Sequence, residues 1–185
     1  AEHKPGRILD VATGTGDLAL ELQRSCPDAE VTGADFCEEM LELARDRGLK
    51  KSLVADGLEL PFADNSFDAV TVAFGLRNMS DWKKGIQEMS RVVRPSGLVL
   101  VLDFSLPEGP LRRPYAFYLN RILPRVAGLL TGQRDAYDYL AGSVERFPSG
   151  GAMLDLLGEA GLHEQAWKPL TQGIASIYTG KGPGG

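Results

Sequence analysis

The order of apolar and polar positions divides most of this chain into short strands and amphipathic helices. Short apolar runs are separated by stretches with helical periodicity, and glycine, proline or asparagine marks many of the turns between them. Strand and helix therefore alternate, which is typical of a parallel sheet with helices on both faces. The predicted strands are 7–11, 30–35, 52–55, 69–73 and 98–104, and the predicted helices are 17–25, 38–48 and 82–93.

Residues 107–148 break this alternation, and the pattern predicts a helical insertion there. Within it, 111–134 has apolar residues at helical spacing, five arginines and no acidic residue, and Pro124 is expected to kink or divide the helix. Such a helix either covers the sheet and leaves its arginines in solvent, or lies on a membrane surface. Both interpretations remain open at this point. The five arginines are Arg112, Arg113, Arg121, Arg125 and Arg134.

The last third of the chain returns to regular elements. A helix is predicted over 136–146, and another is expected to begin with a cap at Ser149 and to end near residue 160. Strands at 164–169 and 174–178 are joined by a short link, which predicts an antiparallel hairpin. The predicted fold class is thus α/β: a doubly wound, mostly parallel, seven-stranded sheet with an antiparallel C-terminal hairpin and an inserted helical segment.

The composition is that of an ordinary globular protein, and residues 1–185 are expected to form one domain. The chain is 43% hydrophobic and 24% charged, and its formal net charge of −5 argues against a general affinity for nucleic acid. Cys26 and Cys37 lack metal-ligand spacing, and two histidines cannot form a cluster, so no metal and a cytoplasmic setting are expected. No apolar run reaches the roughly 18 residues of a membrane span, and no signal peptide is visible.

A glycine-containing turn after the first strand is the strongest candidate for a ligand site. Gly14 and Gly16 let the backbone approach a ligand without a Cβ, and the following helix offers unpaired N–H groups. The six residues from Gly14 fit the dinucleotide pattern G-x-G-x-x-A. Asp35 follows at about the sequence spacing at which that pattern places the acidic residue that binds the ribose. Extended back to Asp10, the turn also resembles motif I of the class I S-adenosylmethionine-dependent methyltransferases, where an acidic residue suits a cationic ligand. A turn that only packs strand on helix is the third interpretation.

Two further acidic residues favour the methyl donor. Asp35 ends the second predicted strand, where it either accepts both ribose hydroxyls or caps the next helix. Asp56, followed by Gly57, comes after the third strand, where class I methyltransferases place an acidic residue for the adenine amino group; an ordinary turn aspartate is the alternative. The pattern LPF…D-x-x-FD at 60–68 is frequent in these enzymes and absent from the dinucleotide motif. The sequence therefore indicates an S-adenosylmethionine site.

Four longer stretches carry a narrower resemblance. They are FGLRN at 74–78, RVVRPSGLVLVLDFS at 91–105, FYLNRILP at 117–124 and YDYLAGSVERFP at 137–148. Together they resemble the quinone-biosynthesis C-methyltransferases, which act on demethylmenaquinone or on 2-polyprenyl-6-methoxy-benzoquinol. The resemblance covers nearly the whole chain, and its last stretch is the most specific, because class I methyltransferases vary freely there.

The resemblance implies a class I methyltransferase fold, S-adenosylmethionine as methyl donor and a prenylated quinol as partner, with demethylmenaquinol preferred. The alternatives are a benzoquinol acceptor, another small-molecule or lipid methyltransferase, and a lipid-binding or assembly subunit with a degenerate site. The family carries an upstream lid segment, which is expected to be absent here, and a homo-oligomer remains open. The expected donor-binding residues are Asp10, Gly14, Thr15, Gly16, Asp35, Asp56 and Gly57.

The implied reaction transfers a methyl group to a ring carbon beside a phenolic oxygen. That ring carbon becomes nucleophilic as the phenolic proton leaves. Arg77 and Asn78 lie at the predicted mouth of the cleft. Since arginine stays protonated, we expect Arg77 to stabilise the developing phenolate and Asn78 to orient the quinol or a water. The alternative is that Arg77 pairs with a carboxylate and fixes the loop. Glu145 and Arg146 are lesser candidates for shaping the substrate pocket, and a surface ion pair is the alternative. The isoprenoid tail of the substrate would suit a peripheral membrane contact by the basic helix.

Overall fold

A seven-stranded sheet forms the centre of the computed structural model, which describes residues 5–107, 109–123 and 134–183. The strands lie in the order β3-β2-β1-β4-β5-β7-β6; β1 to β5 are parallel, and β7 is antiparallel to both β5 and β6. This confirms the predicted sheet and its C-terminal hairpin. The strands are β1 (Arg7–Val11), β2 (Glu30–Asp35), β3 (Lys51–Val54), β4 (Phe67–Ala73), β5 (Val93–Phe104), β6 (His163–Leu170) and β7 (Ala175–Lys181).

Helices cover both faces of the sheet, because alternate residues of each buried strand point to opposite sides. Ile8 of β1 packs in a cluster with residues of α1 and α2, whereas its neighbour Leu9 packs in a larger cluster with residues of α3 and α6. Asp10 therefore points to the same side as Ile8. The helices are α1 (Asp17–Ser25), α2 (Glu38–Asp46), α3 (Trp82–Val92), α4 (Arg112–Phe117), α5 (Arg134–Arg146) and α6 (Gly151–Glu159).

The insertion contains its own small apolar cluster, formed by Leu106, Leu119, Ala141 and Val144. The helix predicted from residue 111 is confirmed over α4, and a π-helical turn at Tyr118–Ile122 continues it. Asn120 Nδ2 donates to the carbonyl oxygen of Ala116 (2.9 Å), so a side chain competes for an acceptor of the regular helix. Pro124 and its expected kink lie outside the described residues. Among the described helices, none is long and apolar enough to cross a bilayer.

Two local predictions were wrong. The fifth strand was predicted to begin at residue 98, after the turn-forming residues 95–97, but β5 already begins at Val93, and residues 95–97 form an irregularity within it, with Ser96 at φ 60°. Ser149 was expected to cap α6, but Gly150 is the N-cap residue and no side chain caps the helix. Gly150 has a positive φ of 59°, a conformation that glycine adopts without steric cost.

Candidate active site

A pocket of about 270 Å³ lies at the C-terminal ends of β1 to β4. This is the position where the strand order reverses, because β1 leads to a helix on one face and β4 leads to a helix on the other. Open α/β sheets bind ligands at such a crevice. The lining residues lie at or just after the ends of these strands: Ala12, Asp35, Phe36, Ala55, Asp56, Gly57, Leu58, Gly75, Asn78, Met79 and Ser80.

The two glycines of the turn have different roles. Gly14 and Gly16 both have positive φ (54° and 81°), which glycine adopts without strain. A Cβ on Gly14 would meet nothing within 4 Å, so the space in front of its backbone is open to a ligand. A Cβ on Gly16 would lie 3.0 Å from Cβ of Ala44 in α2, so this glycine serves close packing. Gly16 is also the N-cap residue of α1.

Asp10 is buried beneath the turn. Its Oδ2 accepts a hydrogen bond from the Thr13 hydroxyl (2.6 Å) and its Oδ1 accepts one from the Thr71 hydroxyl of β4 (2.7 Å). Burial raises the pKa of Asp10 to about 6; the two hydroxyl bonds oppose this rise, and the nearby charge of Asp35 adds to it. The predicted donor-binding residue thus joins β1 to β4 and shapes the turn from behind.

Asp35 lines the pocket and also holds its frame together. Its Oδ2 accepts from the backbone N–H of Gly14 (2.8 Å), and its Oδ1 accepts from the N–H of Cys37 at the start of α2 (3.0 Å). A carboxylate has about four lone-pair positions. Two therefore remain for the ribose hydroxyls, so the predicted ribose contact and the alternative role at the helix start are compatible.

The adenine end of the predicted site combines an acidic residue with apolar side chains. Asp56 and Gly57 line the pocket as predicted, and Asp56 Oδ1 accepts from the N–H of Leu58 (2.8 Å). Phe36 also lines it with a side chain that is 79% exposed. Sequence reasoning missed Phe36, although an aromatic residue directly after the expected ribose-binding residue Asp35 was the available signal. Leu58 and Phe36 offer apolar surface to a flat base.

Thr15 is held from the outer side of the turn by Arg47, the residue after α2. Arg47 Nη1 donates to the carbonyl oxygen and to the hydroxyl of Thr15 (2.9 and 3.0 Å), and its Nη2 pairs with Asp17 (2.6 Å). Thr15 does not belong to the described pocket wall. Donor contact by Thr15 stays a prediction, whereas Arg47 is a residue that sequence reasoning missed.

Ala12 and Gly75 meet where β1 and β4 separate. Ala12 occupies the position that is often glycine in motif I, and it has a positive φ of 52°. A Cβ on Gly75 would lie only 2.4 Å from Cβ of Ala12, closer than two such atoms can approach. One of the two positions must therefore be glycine. Phe74, beside Gly75, also has a positive φ (57°), so backbone strain is concentrated where β1 and β4 separate.

Arg77 forms a buried ion pair with Asp103 of β5. Its Nη1 lies 2.7 Å from Oδ1 of Asp103 and also donates to the carbonyl oxygen of Phe74 (2.5 Å). Burial raises the pKa of Asp103, while the positive charge of Arg77 opposes that rise. Arg77 thus has the carboxylate partner that the loop-fixing interpretation requires. Asp103 was missed, although an acidic residue near the end of an apolar run was visible.

Asn78 connects the donor pocket to a second cavity. Its Oδ1 accepts from the Tyr139 hydroxyl of α5 (3.3 Å), and its Nδ2 donates to the carbonyl oxygen of Phe74 (3.3 Å). Asn78 and Met79 line both the donor pocket and an adjoining cavity of about 290 Å³. The other residues lining that cavity are Arg77, Trp82, Tyr139, Ser143 and Arg146.

Comparison with known proteins identifies the family. The model of the ubiE/COQ5 methyltransferase family matches residues 1–182. The chain belongs to this family. A demethylmenaquinone methyltransferase from Thermus thermophilus is 47% identical, over 98% of this chain and 85% of the relative. The ubiquinone/menaquinone biosynthesis C-methyltransferase UbiE of Bdellovibrio bacteriovorus is 45% identical, over 94% of this chain and 77% of the relative.

Solved structures confirm the fold. An S-adenosylmethionine-dependent methyltransferase from Thermotoga maritima superimposes with a TM-score of 0.71 at 21% identity, covering 95% of this chain and 82% of that one.

The ubiE/COQ5 membership makes this chain an S-adenosylmethionine-dependent C-methyltransferase of quinone biosynthesis. The pocket fits that donor, since open space in front of Gly14 and the carboxylates of Asp35 and Asp56 suit a cationic nucleoside.

We predict that the side-chain methyl group of Ala12 can be moved to position 75 with little net loss of stability. Gly75→Ala should lower the free energy of unfolding by about 1–3 kcal/mol, because two Cβ atoms would overlap. Ala12→Gly removes strain but adds freedom to the unfolded chain, so it should stay within about 1 kcal/mol of wild type. The double variant should recover most of the loss, as measured by urea unfolding in a double-mutant cycle. Strictly additive costs would contradict this contact.

We predict a pH-dependent stability contribution from Asp10. Its folded-state pKa of about 6 lies above the value of about 4 expected when unfolded. The native state therefore binds this proton more tightly, and the stabilisation, complete below pH about 4, is lost as pH rises through about 6. Relative to Asp10→Asn, the wild type should lose about 2–3 kcal/mol over this interval.

The measurement is urea unfolding of both proteins across this pH range. Asp46→Asn on the exposed side of α2 serves as the control, and its profile should run parallel to that of the wild type. Parallel profiles for Asp10→Asn as well would contradict the assignment.

Proposed function

We propose that the chain methylates the ring of demethylmenaquinol. The observation that carries this proposal is the position of the loop 74–78, whose Asn78 lines both the donor pocket and the second cavity. An acceptor ring bound at this loop, beside the second cavity, would lie next to the methyl group of a bound donor. The naphthoquinol is preferred because the Thermus relative is named a demethylmenaquinone methyltransferase. The UbiE relative favours a benzoquinol as the second candidate.

The donor-binding roles follow from the pocket. We propose that Asp35 binds the ribose hydroxyls with its remaining lone pairs, and that Asp56 accepts from the adenine amino group beside Phe36. Gly14 and Gly57 keep the backbone close to the donor, whereas Gly16 supports the turn by packing against α2. S-adenosylmethionine supplies an electrophilic methyl group on a sulfonium. Holding this methyl group in line with a ring carbon removes much of the entropic part of the barrier.

The acceptor-side roles belong to Arg77 and Asn78. As a quinol hydroxyl loses its proton, negative charge develops on its oxygen, and a fixed guanidinium stabilises that charge. Arg77 is held in place by Asp103, so it can act without reorganising. Asn78 has an amide in the wall that the two cavities share, where it can orient the quinol oxygen or a water. The ion pair also fixes the loop, so the two roles of Arg77 are compatible.

Activity is tested with the reduced acceptor. We expect calorimetry to show binding of S-adenosylmethionine, and mass spectrometry to show one added methyl group on a short-chain demethylmenaquinol. The matching demethylated benzoquinol should react more slowly. A faster benzoquinol would reverse the choice of acceptor, and donor binding without turnover on either quinol would contradict the proposed function.

A paired substitution in the same assay separates the roles of Arg77. The double variant Arg77→Gln with Asp103→Asn removes both buried charges and retains groups that can hydrogen-bond. Turnover should fall by about 10²-fold, while affinity for S-adenosylmethionine stays within a few fold. Equal loss of turnover and donor affinity would instead assign the pair to loop fixing alone. The double variant is chosen because Arg77→Ala would leave a buried carboxylate without its cation.

We further propose that the insertion binds an anionic membrane surface, where a prenylated quinol resides. Arg112 and Arg113 are exposed, and so are four apolar side chains of the same segment. Exposed basic and apolar groups within one segment suit anionic lipid, although the whole chain carries a net charge of −5. The apolar residues are Leu111, Phe117, Tyr118 and Ile122.

Sedimentation with vesicles tests the membrane contact. The protein should bind vesicles containing phosphatidylglycerol at low salt and bind pure phosphatidylcholine weakly. Replacing Arg112 and Arg113 by Gln should weaken partition by about tenfold or more, since each basic residue contributes on the order of 1 kcal/mol near an anionic surface. Lys83→Gln with Lys84→Gln, on α3, removes the same charge elsewhere and is the control. Absence of binding to anionic vesicles would refute the contact.

A further inference from the structure

Phe74, the first residue after β4, has a backbone conformation that aromatic residues rarely adopt. Its φ of 57° lies in the left-handed region, where a large side chain is a clear outlier. Glycine would adopt this conformation freely, but the chain places it one position later, at Gly75, whose φ is −102°. Gly75 is required there by its contact with Ala12. Strain of this kind is concentrated at ligand-binding and active sites.

Three hydrogen bonds hold Phe74 in this conformation. Its backbone N–H donates to the carbonyl oxygen of Leu102 in β5 (2.8 Å). Its carbonyl oxygen accepts from Arg77 Nη1 (2.5 Å) and from Asn78 Nδ2 (3.3 Å). The residues proposed to act on the acceptor therefore fix the backbone of Phe74, so the ring has a defined place relative to them.

Packing in the protein core does not explain the ring of Phe74. Its side chain is 37% exposed, and it belongs to none of the described clusters of buried apolar residues. The ring contacts Phe104 with centroids 4.7 Å apart, and the guanidinium of Arg77 lies over both rings. The structure thus holds a partly exposed aromatic surface next to a fixed positive charge, one residue before Gly75 of the donor pocket.

We propose that Phe74 is an acceptor-binding residue whose ring forms the wall against which the quinol ring lies. Gly75, the next residue, lines the donor pocket, and Phe104 packs against the apolar cluster of the insertion. Phe74 is thus adjacent in sequence to a residue of the donor pocket, and its ring packs against a residue that contacts the insertion. Offset stacking suits two aromatic rings, and the nearby guanidinium favours an electron-rich one. This inference rests on the proposed function.

Two variants separate loss of the ring from relief of the strain. Phe74→Ala and Phe74→Gly both remove the ring, but only glycine adopts the left-handed backbone without cost. Both should raise KM for the short-chain demethylmenaquinol about tenfold or more, with S-adenosylmethionine affinity within about twofold of wild type. The glycine variant should have the higher unfolding midpoint of the two. Phe74→Tyr keeps the ring and should retain KM.

The acceptor itself provides a readout that a structural role would not change. Because a naphthoquinol offers more stacking area than a benzoquinol, Phe74→Ala should raise KM more for the naphthoquinol. Phe62→Ala, which disrupts an aromatic pair with Phe67 outside the site (4.9 Å), should lower stability and leave both KM values unchanged.

Three results would overturn the inference. If wild type is active and both Phe74 variants keep their KM, the ring does not bind the acceptor. If KM for the quinol and affinity for S-adenosylmethionine weaken by the same factor, Phe74 only positions the loop. If wild type methylates neither quinol, the proposed function fails first and the inference fails with it, so the two failures are distinguishable.

Discussion

The site depends on one steric constraint, the separation of β1 and β4 at the C-terminal edge of the sheet. The two strands pair up to Val11 and Val72, after which the chain leaves them toward opposite faces. Their loops pass so closely that Ala12 leaves no room for a side chain at Gly75. The crevice that results exposes backbone and holds Ala12 and Phe74 at positive φ. Strain of this size persists because the paired strands on both sides leave these loops no alternative path.

Charge then determines which nucleoside ligand the crevice suits. Asp10 is buried behind the turn and Asp35 lies in front of it, and their proximity raises the pKa of Asp10 beyond what burial does. A pyrophosphate would add further negative charge to this position. A sulfonium and an ammonium instead reduce the repulsion between the carboxylates. The same glycine turn that serves dinucleotides in other folds is thereby suited here to S-adenosylmethionine, consistent with membership of the ubiE/COQ5 family.

The loop after β4 borders both the donor pocket and the second cavity. Arg77 is fixed by Asp103 from β5, and Asn78 is contacted by Tyr139 from the insertion. Elements far apart in sequence therefore meet at residues 74–78, so the shape of the second cavity depends on how the insertion packs on the sheet. This arrangement gives the class I fold a place where acceptor specificity can vary without disturbing the donor pocket.

Local patterns were sufficient to predict most of the fold. Period-two and helical periodicity located the seven strands and most of the described helices, because burial on a sheet or against a helix imposes those periods on a sequence. The glycine turn and the acidic residues Asp35 and Asp56 were also predictable, since strand ends in parallel sheets meet at one edge. The family resemblance added the methyl donor and the acceptor class, which periodicity alone does not reveal.

Contacts between distant residues were decided only by the tertiary structure. No pattern in the sequence pairs Arg77 with Asp103, places Arg47 on Thr15, or brings Ala12 against Gly75. Local rules also failed at Ser149 and at residues 95–97, where tertiary packing overrode the usual cap and turn preferences. The sequence by itself determined the elements, because those depend on nearby residues, and the donor, because its motifs are recognisable along the chain. The geometry at the point where β1 and β4 separate depends on residues about sixty positions apart, which only folding brings together.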